Sequence, residues 1–209
     1  MNDQKKKVSQ SVSPRGFAGK VTAIFMNMQH KSIYENVAKV LELEPEDDLL
    51  EVACGNGYFL KKYASDVHSV AGLDLSELMV KLATKKNKER VAAGTAEFMH
   101  GEASRLPGED NRFSVATTMG SFTMFPKPLE SLKEMYRVLR PGGRAVIAIE
   151  YNAEDGLDHT KHVEKYGMRR IYTEDDVRTI MKEAGFSDIS ITYAKGLMMP
   201  KMMIARAVK

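Results

Sequence analysis

"LLEVACGNGYFLKK", residues 49–62, sets a short apolar run against a turn that holds two glycines, and the run carries an acid, Glu51. The run, 49–53, is apolar at successive rather than alternate positions, which fits a strand covered on both faces. Pro45-Glu46-Asp47-Asp48 breaks the chain before it, and "YFLKKYAS" after it reads as a helix. Strand, glycine turn and helix in direct succession form the unit from which open, doubly wound α/β sheets are built.

Outward from this unit the pattern repeats. Residues 1–15 are polar, with a Lys triplet at 5–7, and read as a solvated tail. Residues 16–45 form an N-terminal helical segment: Ile33, Val37, Val40 and Leu41 fall on one helix face, and the helix runs to about Leu43. Residues 46–209 then make one domain. "VHSVAGLDLS" is a strand ending at Asp74, and Ser76 caps a helix with Leu78, Met79 and Leu82 on its apolar side and the basic end "KKNKER". "AEFMHG" and "FSVATTM" are strands. Leu129, Leu132, Tyr136 and Leu139 line a helix that stops at Pro141-Gly142-Gly143, and "RAVIAIEY" follows as a strand. Thr173 caps a helix closed by Gly185, and "SDISITYA" and "LMMPKMMIARAV" form a hairpin around Lys195-Gly196. The expectation is an α/β fold: a seven-stranded, mainly parallel sheet with one antiparallel strand in a C-terminal hairpin and helices on both faces.

Composition narrows the class. With 209 residues, 43% of them hydrophobic, the chain can build one real core. A net charge of +3 argues for no nucleic-acid or membrane surface. The single Cys excludes an intrachain disulfide and any multi-cysteine metal cluster, which suits a reducing compartment. No stretch reaches the ~18 apolar residues of a membrane span, and polar "MNDQKKKVSQ" stands where a signal peptide needs an apolar core. A cytoplasmic protein without membrane insertion is expected.

In such sheets the ligand sits beyond the carboxyl ends of the strands, where strand order reverses. Gly55 and Gly57 fall just after the first strand, where backbone can approach a ligand. Asp74 ends the second strand, 17 positions after Gly57, the usual place for a carboxylate that holds both hydroxyls of a ribose. A dinucleotide fingerprint needs a third glycine where this chain has Leu60, and the Gly-Lys-Ser/Thr ending of a phosphate loop is absent. Gly55 and Gly57 also fit a plain strand-to-helix turn, and Asp74 a helix cap; their joint occurrence favours a cofactor site.

"EVACGNG", "GLDLS", "GEASRLP" and "MYRVLRPGGRAVIAI", in this order, resemble the small class I S-adenosylmethionine-dependent methyltransferases over roughly residues 30–207. The resemblance implies a Rossmann-like fold with S-adenosylmethionine as cofactor and S-adenosylhomocysteine as product. It also implies roles by position. Glu51 would orient water or the ligand's amino group, and the Ala53, Gly55 and Gly57 backbone would face the methionine part. Asp74 would bind ribose, with Leu75 against the adenine. Glu102 and Ala103 would meet the adenine edge, and Met119 would lie beside the sulfonium. Two departures stand out: Ala53 replaces the motif's first glycine, and Ser114 stands where the family often has Asp.

Acceptor residues must come from elsewhere: residues 17–34, 120–125 and 151–172. Phe17, Phe25, Met26, Met28, His30 and Tyr34 suit an adaptable apolar lid. His30 is the first candidate base with Tyr34 one turn on, and Tyr151, His159 and His162 are alternatives. His159-x-x-His162 lacks further ligands, so no metal is expected. Cys54 has nothing near it in sequence that would lower its pKa and is left out of catalysis. "MGSFTMF" is not the Pro-Pro-aromatic stretch of nucleic-acid amine methylation, and no RNA-binding module is appended, so nucleic acid is not expected. The acceptor read from these features is a modest, partly apolar small molecule. A non-catalytic binding protein of the same fold and a protein or RNA methyltransferase stay open beside it.

Overall fold

The computed structural model describes residues 30–195 and 201–209. The expected tail, the lid positions Phe17, Phe25, Met26 and Met28, and Gly196 of the hairpin turn lie outside the described residues. The strands are β1 (Asp48–Val52), β2 (Ser69–Asp74), β3 (Ala96–His100), β4 (Phe113–Met119), β5 (Leu139–Ile149), β6 (Ser187–Ala194) and β7 (Met202–Val208). They form one seven-stranded sheet in the order β3-β2-β1-β4-β5-β7-β6. β7 runs antiparallel to both its neighbours, and the other pairings are parallel. The order reverses between β1 and β4, which places the ligand crevice of such sheets over their carboxyl ends.

Seven α-helices are described: α1 (Lys31–Leu41), α2 (Tyr58–Tyr63), α3 (Glu77–Lys86), α4 (Lys88–Ala92), α5 (Pro128–Val138), α6 (Thr160–Tyr166) and α7 (Glu174–Glu183). Two cores cover the two faces of the sheet. On one, Ile33, Val37 and Leu41 of α1 and Phe59 and Leu60 of α2 pack on Leu49, Val115, Val146 and Ala148. On the other, Leu132, Met135 and Val138 of α5 and Val177 and Met181 of α7 pack on Leu50, Val52, Ala145 and Ile147. Alternate residues of each central strand therefore feed opposite cores, which is why these strands read as continuous apolar runs. Among the described residues no helix is long and apolar enough to cross a membrane.

Four expectations about elements need correction. α1 ends at Leu41, with Glu42 in the left-handed region, two residues before the expected stop. α5 ends at Val138, and Leu139 already opens β5 opposite Phe113; its helical spacing continued past the helix because a buried strand residue satisfies the same pattern. In α3 the fully buried positions are Met79 and Ala83, with Leu78 and Leu82 only partly covered. "KKNKER" is not one basic helix end. Asn87, wholly buried, separates α3 from α4, its amide donating to the carbonyls of Gly57 and Ala83 at 3.2 and 3.0 Å. Arg90 is also structural, donating to the carbonyls of Ala64 and Val67.

The C-terminal elements follow their local chemistry. Thr173 and Asp176 form a reciprocal capping box at the start of α7. Ser114 takes a structural part of its own: its hydroxyl donates to Asp47 at 2.6 Å and accepts from the Asp48 N–H at 2.9 Å. Arg144 closes this group, with its guanidinium 2.7 Å from Asp47.

Candidate active site

The turn after β1 is built from three alternate left-handed positions: Ala53 at φ +61°, Gly55 at +53° and Gly57 at +67°. The two glycines do different work. A side-chain carbon on Gly57 would lie 2.8 Å from the Asn87 amide nitrogen and 2.9 Å from Ala83 Cβ, so this glycine lets the turn pack on α3. A carbon on Gly55 would meet nothing within 4 Å, so that face of the turn borders open space.

Asp74 ties the turn to β2. One carboxylate oxygen accepts the Gly55 N–H and the other the Ser76 N–H, each at 2.8 Å. A carboxylate has about four lone-pair sites, so two stay free for hydroxyl donors. Burial raises the Asp74 pKa, opposed by those two N–H bonds. Next to it the Gly101 N–H bonds the Asp74 carbonyl, and the His100 Nε2 lies 3.0 Å from the Leu75 carbonyl. Leu75, Glu102 and Ala103 thus gather at one rim, with Leu75 41% exposed and Glu102 exposed. A large apolar side chain left in solvent beside a buried carboxylate is a surface on which a flat ring can rest.

Glu51 stands near the end of β1, within electrostatic reach of Asp74. Only 3% of it is exposed, and its Oε2 has no hydrogen-bond partner. Burial first, and the nearby Asp74 second, push its carboxyl well above the usual range. An orphaned buried carboxyl fits a cationic ligand group, which would supply the missing partner.

The sheet's alternation brings a further group together. Glu51 follows Leu49, Met119 follows Val115, and Glu150 follows Val146 and Ala148 on the face that α1 covers. His30 and Tyr34 start α1 directly above. His30 Nε2 lies 3.3 Å from Glu150 Oε1, and the His30 and Tyr34 rings meet edge to face at 5.9 Å. Tyr34 also touches Tyr58 and Phe59. Burial, then Glu51 and Glu150, push its phenol well above 10, so it stays protonated as a donor. The Cys54 thiol, buried in the same region, is likewise pushed up by burial and then by Glu51.

Tyr151, His159 and His162 form a group of their own. Tyr151 stacks on His162 at 4.7 Å and meets His159 at 5.5 Å. His159 is tied down, its Nε2 2.9 Å from Asp155 and 3.2 Å from the Asn152 carbonyl. Burial raises the Tyr151 phenol to about 12. Among the described residues no ring contact or hydrogen bond joins this group to His30 and Tyr34.

Two residues at the site were missed in the sequence. Glu150 ends "RAVIAIE", and only the pairing of β5 with β4 shows that it points toward α1. Lys86 read as part of a solvated basic run, yet its ammonium is 3.1 Å from the Asn56 amide oxygen and 5.0 Å from the Tyr58 ring centre. Its place at the last turn of α3, one helical turn beyond Leu82, was the available signal.

Residues 50–147 match a family model described as a methyltransferase domain. The demethylmenaquinone methyltransferase of Oceanobacillus iheyensis is 32% identical over 129 residues, covering 60% of this chain and 54% of that protein. The chain thus spans about half the length of the curated relatives it matches. Among solved structures, the phosphoethanolamine N-methyltransferase 2 of Haemonchus contortus in complex with S-adenosyl-L-methionine superposes with a TM-score of 0.80 at 16% identity, over 98% of this chain and 61% of that one. A SAM-dependent methyltransferase from Aquifex aeolicus gives 0.66 at 20% identity, over 92% and 98%.

Proposed function

We propose that this chain is a class I S-adenosylmethionine-dependent methyltransferase that transfers a methyl group from S-adenosylmethionine to a small, partly apolar acceptor, a reading supported by the methyltransferase-domain match over residues 50–147 and by the relatives it resembles. The observation that carries this reading is the unpartnered, buried Glu51 carboxyl on the strand that leads into the turn whose Gly55 borders open space. The cofactor's ammonium would complete Glu51, and its ribose hydroxyls would take the two free lone-pair sites of Asp74. Leu75 would carry the adenine face, and Glu102 with the Ala103 N–H would meet the adenine edge. The backbone of Ala53, Gly55 and Gly57 would line the methionine part, and Met119 at the end of β4 would flank the sulfonium. When bound, S-adenosylmethionine supplies an already activated methyl group, and the protein contributes alignment and exclusion of water.

The acceptor side is formed by His30, Tyr34 and Glu150 over the same strand ends. A relative named for demethylmenaquinone supports a small-molecule acceptor. The atom methylated, whether O, N, S or C, is decided by the proton that the acceptor must lose.

Calorimetric titration with S-adenosylhomocysteine tests the reading. The folded wild type should bind in the micromolar range, and Asp74→Ala should lose most of that affinity. Absence of binding by folded wild type would sink the proposal. Binding without transfer to any phenol, thiol or amine from a labelled donor would favour a non-catalytic binding protein instead.

A further inference from the structure

The methyltransferase reading leaves one arrangement unexplained, the pair His30 and Glu150. Glu150 is 7% exposed at the end of β5, in a position that costs solvation of a carboxyl. Burial raises its pKa, and the only opposing influence of note is His30. The backbone makes room for it. Gly120 holds φ +67°, and a side-chain carbon there would collide with the Glu150 carboxylate and lie 3.4 Å from His30 Cε1. The Gly120 N–H is pinned to the Ala148 carbonyl at 3.2 Å, so the gap is fixed by the sheet. His30 in turn is fixed by its carbonyl, which accepts the Tyr34 N–H at 2.9 Å.

Nε2 is the ring nitrogen that faces Glu150 Oε1, at 3.3 Å and without hydrogen-bond geometry, so the two pair through charge once the ring is protonated, and Nδ1 is the nitrogen left for a substrate. Among the described residues no partner meets Nδ1. The other titratable groups around the pair are Tyr34 from α1, Tyr58 from α2, Glu51 and Cys54 from β1 and its turn, and Tyr151, which follows Glu150. None of them is a cation, so a charge formed on His30 has Glu150 as its direct counter-ion.

We propose that His30 and Glu150 form a proton-accepting pair for an acceptor that reacts through a weakly acidic hydroxyl, such as a phenol or quinol, with His30 as the base and Glu150 as its positioning residue. This deepens the methyltransferase reading and rests on it. In the transfer, an oxygen lone pair forms the new bond to the methyl carbon. The carbon–sulfur bond breaks, its electron pair staying on sulfur as the neutral thioether. The hydroxyl proton passes to His30 Nδ1, and Glu150 balances the imidazolium until the proton leaves to solvent. A thiol would need this pair far less, because it ionises appreciably near neutral pH.

Two measurements decide the matter. The first follows the His30 ring resonance by NMR against pH, without cofactor, in wild type and Glu150→Gln. Loss of the carboxylate should change the His30 ring resonances across the series; resonances that coincide in the two proteins at every pH overturn the pairing. The second compares methyl transfer to hydroquinone and to thiophenol. Glu150→Gln should keep S-adenosylhomocysteine affinity near wild type and, because it removes a buried charge, should not lower the melting temperature. It should lower kcat for hydroquinone by roughly 10–100-fold at unchanged KM and move the acid limb of the profile to lower pH. Glu150→Asp should recover part of the rate. Transfer to thiophenol alone, or to neither probe by a protein that binds S-adenosylhomocysteine, overturns the hydroxyl assignment. Failure to bind S-adenosylhomocysteine would instead remove the methyltransferase reading, while the NMR titration still reads the pair.

Discussion

Ala53 holds φ +61°, a conformation that costs an L-residue roughly 1–2 kcal/mol and glycine almost nothing. Its neighbour Gly57, at φ +67°, is pressed against Asn87 and Ala83. The two positions should therefore respond in opposite directions. Ala53→Gly relieves the strain but adds freedom to the unfolded chain, for a net stabilisation of up to ~1 kcal/mol. Gly57→Ala adds both strain and overpacking and should cost roughly 2–5 kcal/mol. Urea denaturation of the two variants checks this, and a destabilised Ala53→Gly would show that the alanine methyl contributes packing that outweighs its backbone strain. At this scale the sequence was informative where a residue's chemistry is local. The glycines announced a turn and Asp74 a strand-end carboxylate, because spacing along the chain alone places them. Glu150 gave no such signal, since its partner His30 stands at the far end of the described chain and only the sheet's register brings them together.

Elements show the same division. β1, β2 and β4 were legible as buried apolar runs, and α7 through Thr173 and Gly185 at its ends. The join of α3 to α4 was not, because a basic run looks solvated unless one knows that Asn87 in its middle is buried. That asparagine links the helix break to the glycine turn through its bonds to the Gly57 and Ala83 carbonyls. Asn87→Ala should cost about 1–3 kcal/mol by removing two side-chain bonds at a buried position, although the Gly57 and Ala83 carbonyls keep the backbone N–H groups of Lys61 and residue 87. It should also loosen the turn and so weaken S-adenosylhomocysteine binding severalfold. Thermal unfolding and calorimetry on the same sample separate the two effects; a lower melting temperature with unchanged affinity would mean that the turn holds its shape without this tie.

For the whole molecule, acids divide by position. Asp47, for which burial is outweighed by bonds from Arg144, the Glu44 N–H and Ser114, and Asp176, held first by the Thr173 N–H, have lowered pKa values. Their contribution is present above the ordinary carboxylate range and is lost as pH falls through it. Glu51, Asp74 and Glu150, gathered at the carboxyl end of the sheet, have raised values, each chiefly through burial. The native state holds their protons more tightly than the unfolded chain. Their contribution is therefore full below the ordinary range and is lost as pH rises from about 4–5 toward their raised values. The ligand-free protein should thus be weakened at the proposed binding site near neutral pH, with a cation as the remedy. Glu51→Gln removes the buried charge next to Asp74, and should raise the ligand-free melting temperature at pH 8 but hardly at pH 5. The shift should be about 2–4 °C for each kcal/mol relieved in a chain of this size. The same variant should bind S-adenosylhomocysteine more weakly, because it removes the carboxyl proposed to meet the ligand's ammonium. Melting curves at both pH values with and without ligand carry the test. A Glu51→Gln effect of equal size at pH 5 and pH 8 would show that its ionisation does not set the balance between stability and binding.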